Sequence, residues 1–123
     1  MNGSVRTYIG ELFGTFSGIS KVGSYSGTGS NINVDCGFSK GAGFILIKRA
    51  DTEIQSTTHW YVYDSVRGIV TGNDPYVKWN NTDAEVTNTD YIDPLSSGFT
   101  VTSSANSGLN ASGGTYVFYA IAT

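Results

Sequence analysis

Cysteine occurs once in the 123 residues, at Cys36. No intrachain disulfide can form, so the chain is not a stapled secreted scaffold. With one histidine, His59, it has no Cys/His set for a zinc site either. Charge is scarce: Asp, Glu, Lys and Arg make up 14% of the residues, below the quarter or so of an ordinary soluble domain. The balance is −3, and Lys48-Arg49 is the one adjacent basic pair. A nucleic-acid footprint is excluded, as is a basic amphipathic helix for a membrane surface. No run approaches the ~18 apolar residues of a membrane span. The N-terminal stretch MNGSVRTYIGELFG lacks the charged and apolar regions of a signal peptide.

Gly, Ser, Thr and Asn supply 54 of the 123 residues, so they carry the polar surface that charge does not. That composition disfavours helices and favours strands and tight turns. No segment has a convincing helical period. Ile32 and Val34 alternate with Asn33 and Asp35, the pattern of a half-buried strand. Phe44-Ile45-Leu46-Ile47 and Trp60-Tyr61-Val62-Tyr63 are continuous apolar runs, which predict strands covered on both faces. Further strands are predicted at 21–25, 76–79, 99–102 and 115–121. Turn clusters every 8–15 residues between them predict an all-β, antiparallel β-sandwich, jelly-roll-like. Residues 21–123 form that sandwich. Residues 1–20 differ in character and are expected to be an N-terminal arm or first strand. Within this part, Gly14-Thr15-Phe16-Ser17-Gly18 is echoed by Gly23-Ser24-Tyr25-Ser26-Gly27. The echo is too short for a structural repeat; it fits two adjacent strands or an anchoring arm.

The segment HWYVYDSVRG, His59 to Gly68, holds an acid, a hydroxyl, a base and an imidazole. Ser65 as nucleophile with His59 as base would be a hydrolase. Six residues along a strand span ~20 Å, against the ~3 Å such a pair needs. No G-x-S-x-G elbow surrounds Ser65. The structural alternative has Asp64 capping a turn, Arg67 pairing with it, and Gly68 supplying a positive φ. Arg67 is also the member able to reach a partner. Tyr76, Trp79 and Tyr91 lie beside polar loops and are candidate stacking residues for a glycan. The loop Asn80-Asn81-Thr82-Asp83-Ala84-Glu85, with Asp90 and Asp93, is rich enough in oxygen for a structural calcium ion, but it lacks an EF-hand pattern. No catalytic residue, metal ligand or cofactor is assigned from the sequence. Cys36 reads as a small buried apolar residue.

Six segments in order are YSGTGSNINVDCGF (25–38), GFILIKRAD (43–51), HWYVYDSVRG (59–68), NNTDAEV (80–86), SSGFTVTSS (96–104) and NASGGTYVFYAIA (110–122). Together they resemble a lectin-like or jelly-roll-like β-sandwich domain of tailed, often marine, phages, found in virion structural and tail-associated proteins. The resemblance spans roughly residues 21–123. It implies a non-enzymatic protein at the virion surface, and it carries no catalytic residues. A short chain beginning at Met1 fits a stand-alone capsid decoration or cement-type protein better than a fibre tip, which needs a shaft. The implied partners are the major capsid protein or tail proteins, with the chain lattice-bound or a homo-oligomer. The alternative is a tail-fibre or appendage module adhering to a host surface glycan.

Overall fold

The computed structural model describes residue 7, residues 9–52 and residues 56–123. Residues 1–6 and 8 of the expected arm lie outside the described residues. Among the described residues, eight strands and one helical turn follow in order. They are β1 (Ser20–Ser26), β2 (Ile32–Asp35), β3 (Ala42–Arg49), β4 (Trp60–Asp64), β5 (Val77–Lys78), β6 (Ile92–Leu95), β7 (Gly98–Val101), α1 (Ser107–Asn110) and β8 (Thr115–Ala122).

The strands form two antiparallel sheets, one of five strands in the order β1-β8-β3-β4-β5 and one of three in the order β2-β7-β6. The first strand pairs with the last and the second with the second-last. These are the two outer pairings of a jelly roll; the nesting stops there, because β3 pairs with β8 and β4 while β6 pairs with β7. The two sheets face each other across the core, so the fold is an all-β sandwich.

Period-2 alternation assigns the core. Tyr116, Phe118 and Ala120 of β8 point between the sheets with Ile45 and Ile47 of β3 and Tyr61 and Tyr63 of β4, all buried. Phe99 and Val101 of β7 with Ile92 of β6 meet them from the smaller sheet. Phe99 and Phe118 join the two layers edge to face, with ring centroids 5.4 Å apart. Gly23 pairs with Phe118, and a Cβ at Gly23 would lie 2.7 Å from that ring. The glycine leaves the room the ring occupies.

Two elements were not legible in the pattern. β6 contains Pro94, which has no N–H to give a ladder. It sits at the edge of the three-stranded sheet, where one side needs no donor. α1 is four residues long, too short to show a period. Asn106 caps it, its side chain accepting from the Gly108 N–H at 2.8 Å. The expected strand at 76–79 is shorter: β5 is Val77–Lys78, and Tyr76 makes an isolated bridge to Val86.

Tyr116 ties α1 to the sheet. Its hydroxyl donates to the Ser107 carbonyl at 2.8 Å and accepts from the Ala111 N–H at 2.8 Å. Its ring stacks on Tyr25 at 5.0 Å, and the Tyr25 hydroxyl donates to the Leu109 carbonyl at 2.7 Å. Burial, and then the neighbouring Tyr116, raise the Tyr25 hydroxyl well above the usual phenol range. Both phenols therefore remain neutral donors at physiological pH.

Candidate functional site

The face of the five-stranded sheet turned away from the core is also apolar. Paired residues on neighbouring strands share a face. One cross-strand row on this outer face runs Val22, Tyr119, Leu46, Val62, Val77, through all five strands. A second runs Ser24, Val117, Lys48, Trp60. A third includes Ile121 and Phe44. Leu46 and Val62 are buried, whereas Val22, Val117, Ile121 and Trp60 are exposed.

The chain before β1 lies on this face. Phe13 stacks on Tyr119 with ring centroids 4.5 Å apart. Ser20 Oγ donates to the Gly14 carbonyl at 2.8 Å, and Thr15 Oγ1 accepts from the Val22 N–H at 2.9 Å. Phe16 and Ser20 bond to each other through both their backbone groups. Residues 13–19 are thus fastened to the edge strand β1, yet the segment from residue 9 to residue 19 brings large apolar side chains into solvent. Ile9 is 92% exposed, and Leu12, Phe16 and Ile19 are also exposed. Isolated exposed apolar residues are ordinary; so many large ones in one short segment are not.

Between this segment and the β4–β5 end of the sheet lies an open cleft of about 570 Å³. Ile9, Glu11 and Phe13 line it from the segment, and Leu46, Trp60, Trp79 and Asn80 from the sheet end. Trp79 donates its backbone N–H to the Trp60 carbonyl at 2.9 Å, which sets the two backbones side by side, and both side chains line the cleft. Trp79 is 56% exposed. Asn80 Oδ1 accepts from the Trp60 N–H at 2.9 Å, and its Nδ2 lies 3.2 Å from His59 Nδ1. Lys48 Nζ sits 5.7 Å from the centre of the Trp60 ring and donates to the Thr58 carbonyl.

The sequence-predicted residues fall in different places. Tyr76 is a core residue: its ring is buried against Tyr61, Tyr63 and Tyr91, so it offers no face to a ligand. Tyr91 is half-buried beside it. Trp79 alone of the three lines the cleft, and its companion is Trp60, which the sequence reading left inside a buried strand. Strand alternation was the signal available: Trp60 and Val62 share one side, Tyr61 and Tyr63 the other.

Asp64 Oδ1 accepts from the N–H groups of Val66 and Arg67, at 3.0 and 2.9 Å. The Arg67 guanidinium pairs with Asp64 and, at 3.4 Å, with Glu85. Gly68 closes the turn at φ 125° and donates to the Asp64 carbonyl at 3.0 Å. Arg67 is thereby engaged within its own chain. His59 and Ser65 flank β4 at its opposite ends.

Acidic residues gather around Asp74, which is fully buried. Its Oδ2 accepts from the N–H groups of Tyr91 and Ile92, each at 3.0 Å. Oδ1 of Asp74, Asp90 and Asp93 and the Tyr63 hydroxyl are buried without a hydrogen-bond partner. Burial pushes Asp74 up to about 7, against the two N–H bonds, with Asp90 and Asp93 adding to the rise. Among the described residues no group of three or more His, Cys, Asp or Glu side chains could hold a metal ion. In the loop of the calcium expectation, Asp83 accepts from Lys78 Nζ at 2.9 Å and from Asn81 Nδ2 at 2.8 Å. The Cys36 thiol is buried, and burial with the adjacent Asp35 pushes it up to about 11. No helix among the described residues is long and apolar enough to cross a membrane.

The chain belongs to the family described as Domain of unknown function (DUF7483), whose model matches residues 1–123. No curated protein and no solved structure matches it.

Proposed function

We propose that this domain is a non-enzymatic protein of a phage virion surface, of the capsid decoration or cement type, acting through subunit contacts. One observation carries the proposal: the outer face of the five-stranded sheet and the segment laid on it both hold large apolar side chains open to solvent. Val22, Val117 and Ile121 are exposed on the sheet, and Leu12, Phe16 and Ile19 on the segment beside it. A neighbouring capsid subunit covering this surface would remove that apolar area from water, the main favourable term in protein association. The partner is a protein rather than nucleic acid, because the chain is acidic and the face is apolar. The resemblance to phage virion sandwiches supports the setting.

Labelling virions with an antibody to this chain tests the reading. A decoration protein gives high, symmetry-related labelling of the head; labelling confined to the tail overturns it. A second reading, an appendage module adhering to a host glycan, is favoured by the exposed pair Trp60 and Trp79.

A further inference from the structure

We propose that the cleft between Phe13 and the β4–β5 end of the outer face is a carbohydrate site, taking a neutral hexopyranose unit of an oligosaccharide. The inference rests on the second reading, adhesion to a glycan, and gives it a place in the fold. The volume of about 570 Å³ lies within the few-hundred to ~1,000 Å³ range of small-molecule sites. Its walls have the composition such sites use: aromatic faces with a few polar groups at fixed places.

Trp79 supplies the more open face, and Trp60 the side of its ring that Lys48 does not cover. Each indole presents a broad apolar surface with one N–H at its edge. The C–H side of a pyranose ring can lie on such a surface while its hydroxyls point away. Asn80 supplies the polar edge at a fixed orientation. Its Oδ1 is held by the Trp60 backbone N–H and its Nδ2 by His59. One lone pair and one amide hydrogen remain for a ligand hydroxyl. The Glu11 carboxylate on the facing wall can accept from another.

Other ligand classes fit less well. A cation would have to compete with Lys48, which already lies over the Trp60 ring. A nucleotide, sialylated or sulfated ligand would bring negative charge to the Glu11 carboxylate. The aliphatic end of the same outer face, Val22 and Ile121, offers no ring and no polar edge, which separates the site from the proposed subunit contact.

These two tryptophans are the two the protein has, so tryptophan fluorescence reads the cleft directly. The full chain is titrated with neutral glucan, mannan and galactan oligosaccharides, and with one sialylated and one sulfated oligosaccharide. In parallel, binding is measured by calorimetry on the native protein and on Trp60→Ala, Trp79→Ala and Trp79→Phe. The expected result is a saturable fluorescence change with a neutral oligosaccharide. Either alanine variant weakens binding at least tenfold, and Trp79→Phe keeps part of it. Circular dichroism checks that each variant folds. Binding that leaves fluorescence unchanged and survives both alanine variants overturns the site while sparing the adhesion reading. Preference for the charged oligosaccharides overturns the neutral ligand class. Calorimetric silence of the native protein toward all five removes the adhesion reading, and the site with it.

Discussion

Ile92 donates its backbone N–H to Asp74 Oδ2 across 3.0 Å, from the first residue of β6 to a carboxylate with no exposure to water. The second oxygen of that carboxylate has no partner, and Asp90 and Asp93 stand near. Burial of the charged form dominates, and Asp74 is raised from its ordinary 3.8 to about 7. Folding therefore takes up a proton. The protein should be most stable below about pH 4 in this respect and lose stability as pH rises toward 7, at up to about 1.4 kcal/mol per pH unit. Asp74→Asn keeps an acceptor for the two N–H groups and cannot ionise. It should unfold at higher denaturant than the native chain at pH 8 and nearly the same at pH 4. Urea melts at the two pH values check this; equal pH dependence in both proteins would contradict it.

Asp64 and Arg67 test whether their turn is held by backbone caps or by charge. Asp64→Ala strips the acceptor from two N–H groups and should cost about 1–2 kcal/mol. Arg67→Ala removes partly exposed ion pairs to Asp64 and Glu85 and should cost about 0–1 kcal/mol. Thermal melts of the pair decide; a larger loss from Arg67→Ala would make the ion pairs the stronger tie.

Tyr116→Phe leaves the stack on Tyr25 in place and deletes the hydroxyl alone. The part-buried Ala111 N–H then loses its partner, whereas the Ser107 carbonyl keeps the Arg49 guanidinium at 3.1 Å. A loss of about 0.5–1.5 kcal/mol is expected. Hydrogen exchange should show it first as faster opening around α1.

Ile121→Glu places a charge on the exposed outer face, where the native side chain is partly open to solvent. The sandwich should still fold, at a loss of about 1–2 kcal/mol for the apolar area no longer buried. Occupancy on particles should fall at least tenfold if this face docks on a capsid subunit, as quantified by gel densitometry of purified virions. Unchanged occupancy would move the contact elsewhere.

Phe13→Ala removes the ring that lies on Tyr119. The stack is worth about 1 kcal/mol, so the sandwich should remain folded with a slightly lower melting temperature. Limited proteolysis should then cut within residues 9–16 sooner than in the native chain. Protection equal to the native would mean that the edge bonds at Thr15 and Ser20 hold the segment without the ring.

The sequence by itself determined that this chain is all strands and turns. Phe44–Ile47, Trp60–Tyr63 and Thr115–Ile121 are rich in bulky β-formers, turn residues separate them, and no helical period competes. The tertiary structure decided which side of each strand is the inside. A run such as Trp60-Tyr61-Val62-Tyr63 is apolar at every position, so it has alternation but no visible phase. Pairing with β3 set that phase, sending Tyr61 and Tyr63 to the core and Trp60 outward. The same alternation, set by the pairing of β5 with β4, put Tyr76 inside and Trp79 in the cleft. Nor could composition locate β6, since Pro94 is tolerated there by its place at a sheet edge, and an edge exists only once the strands have assembled.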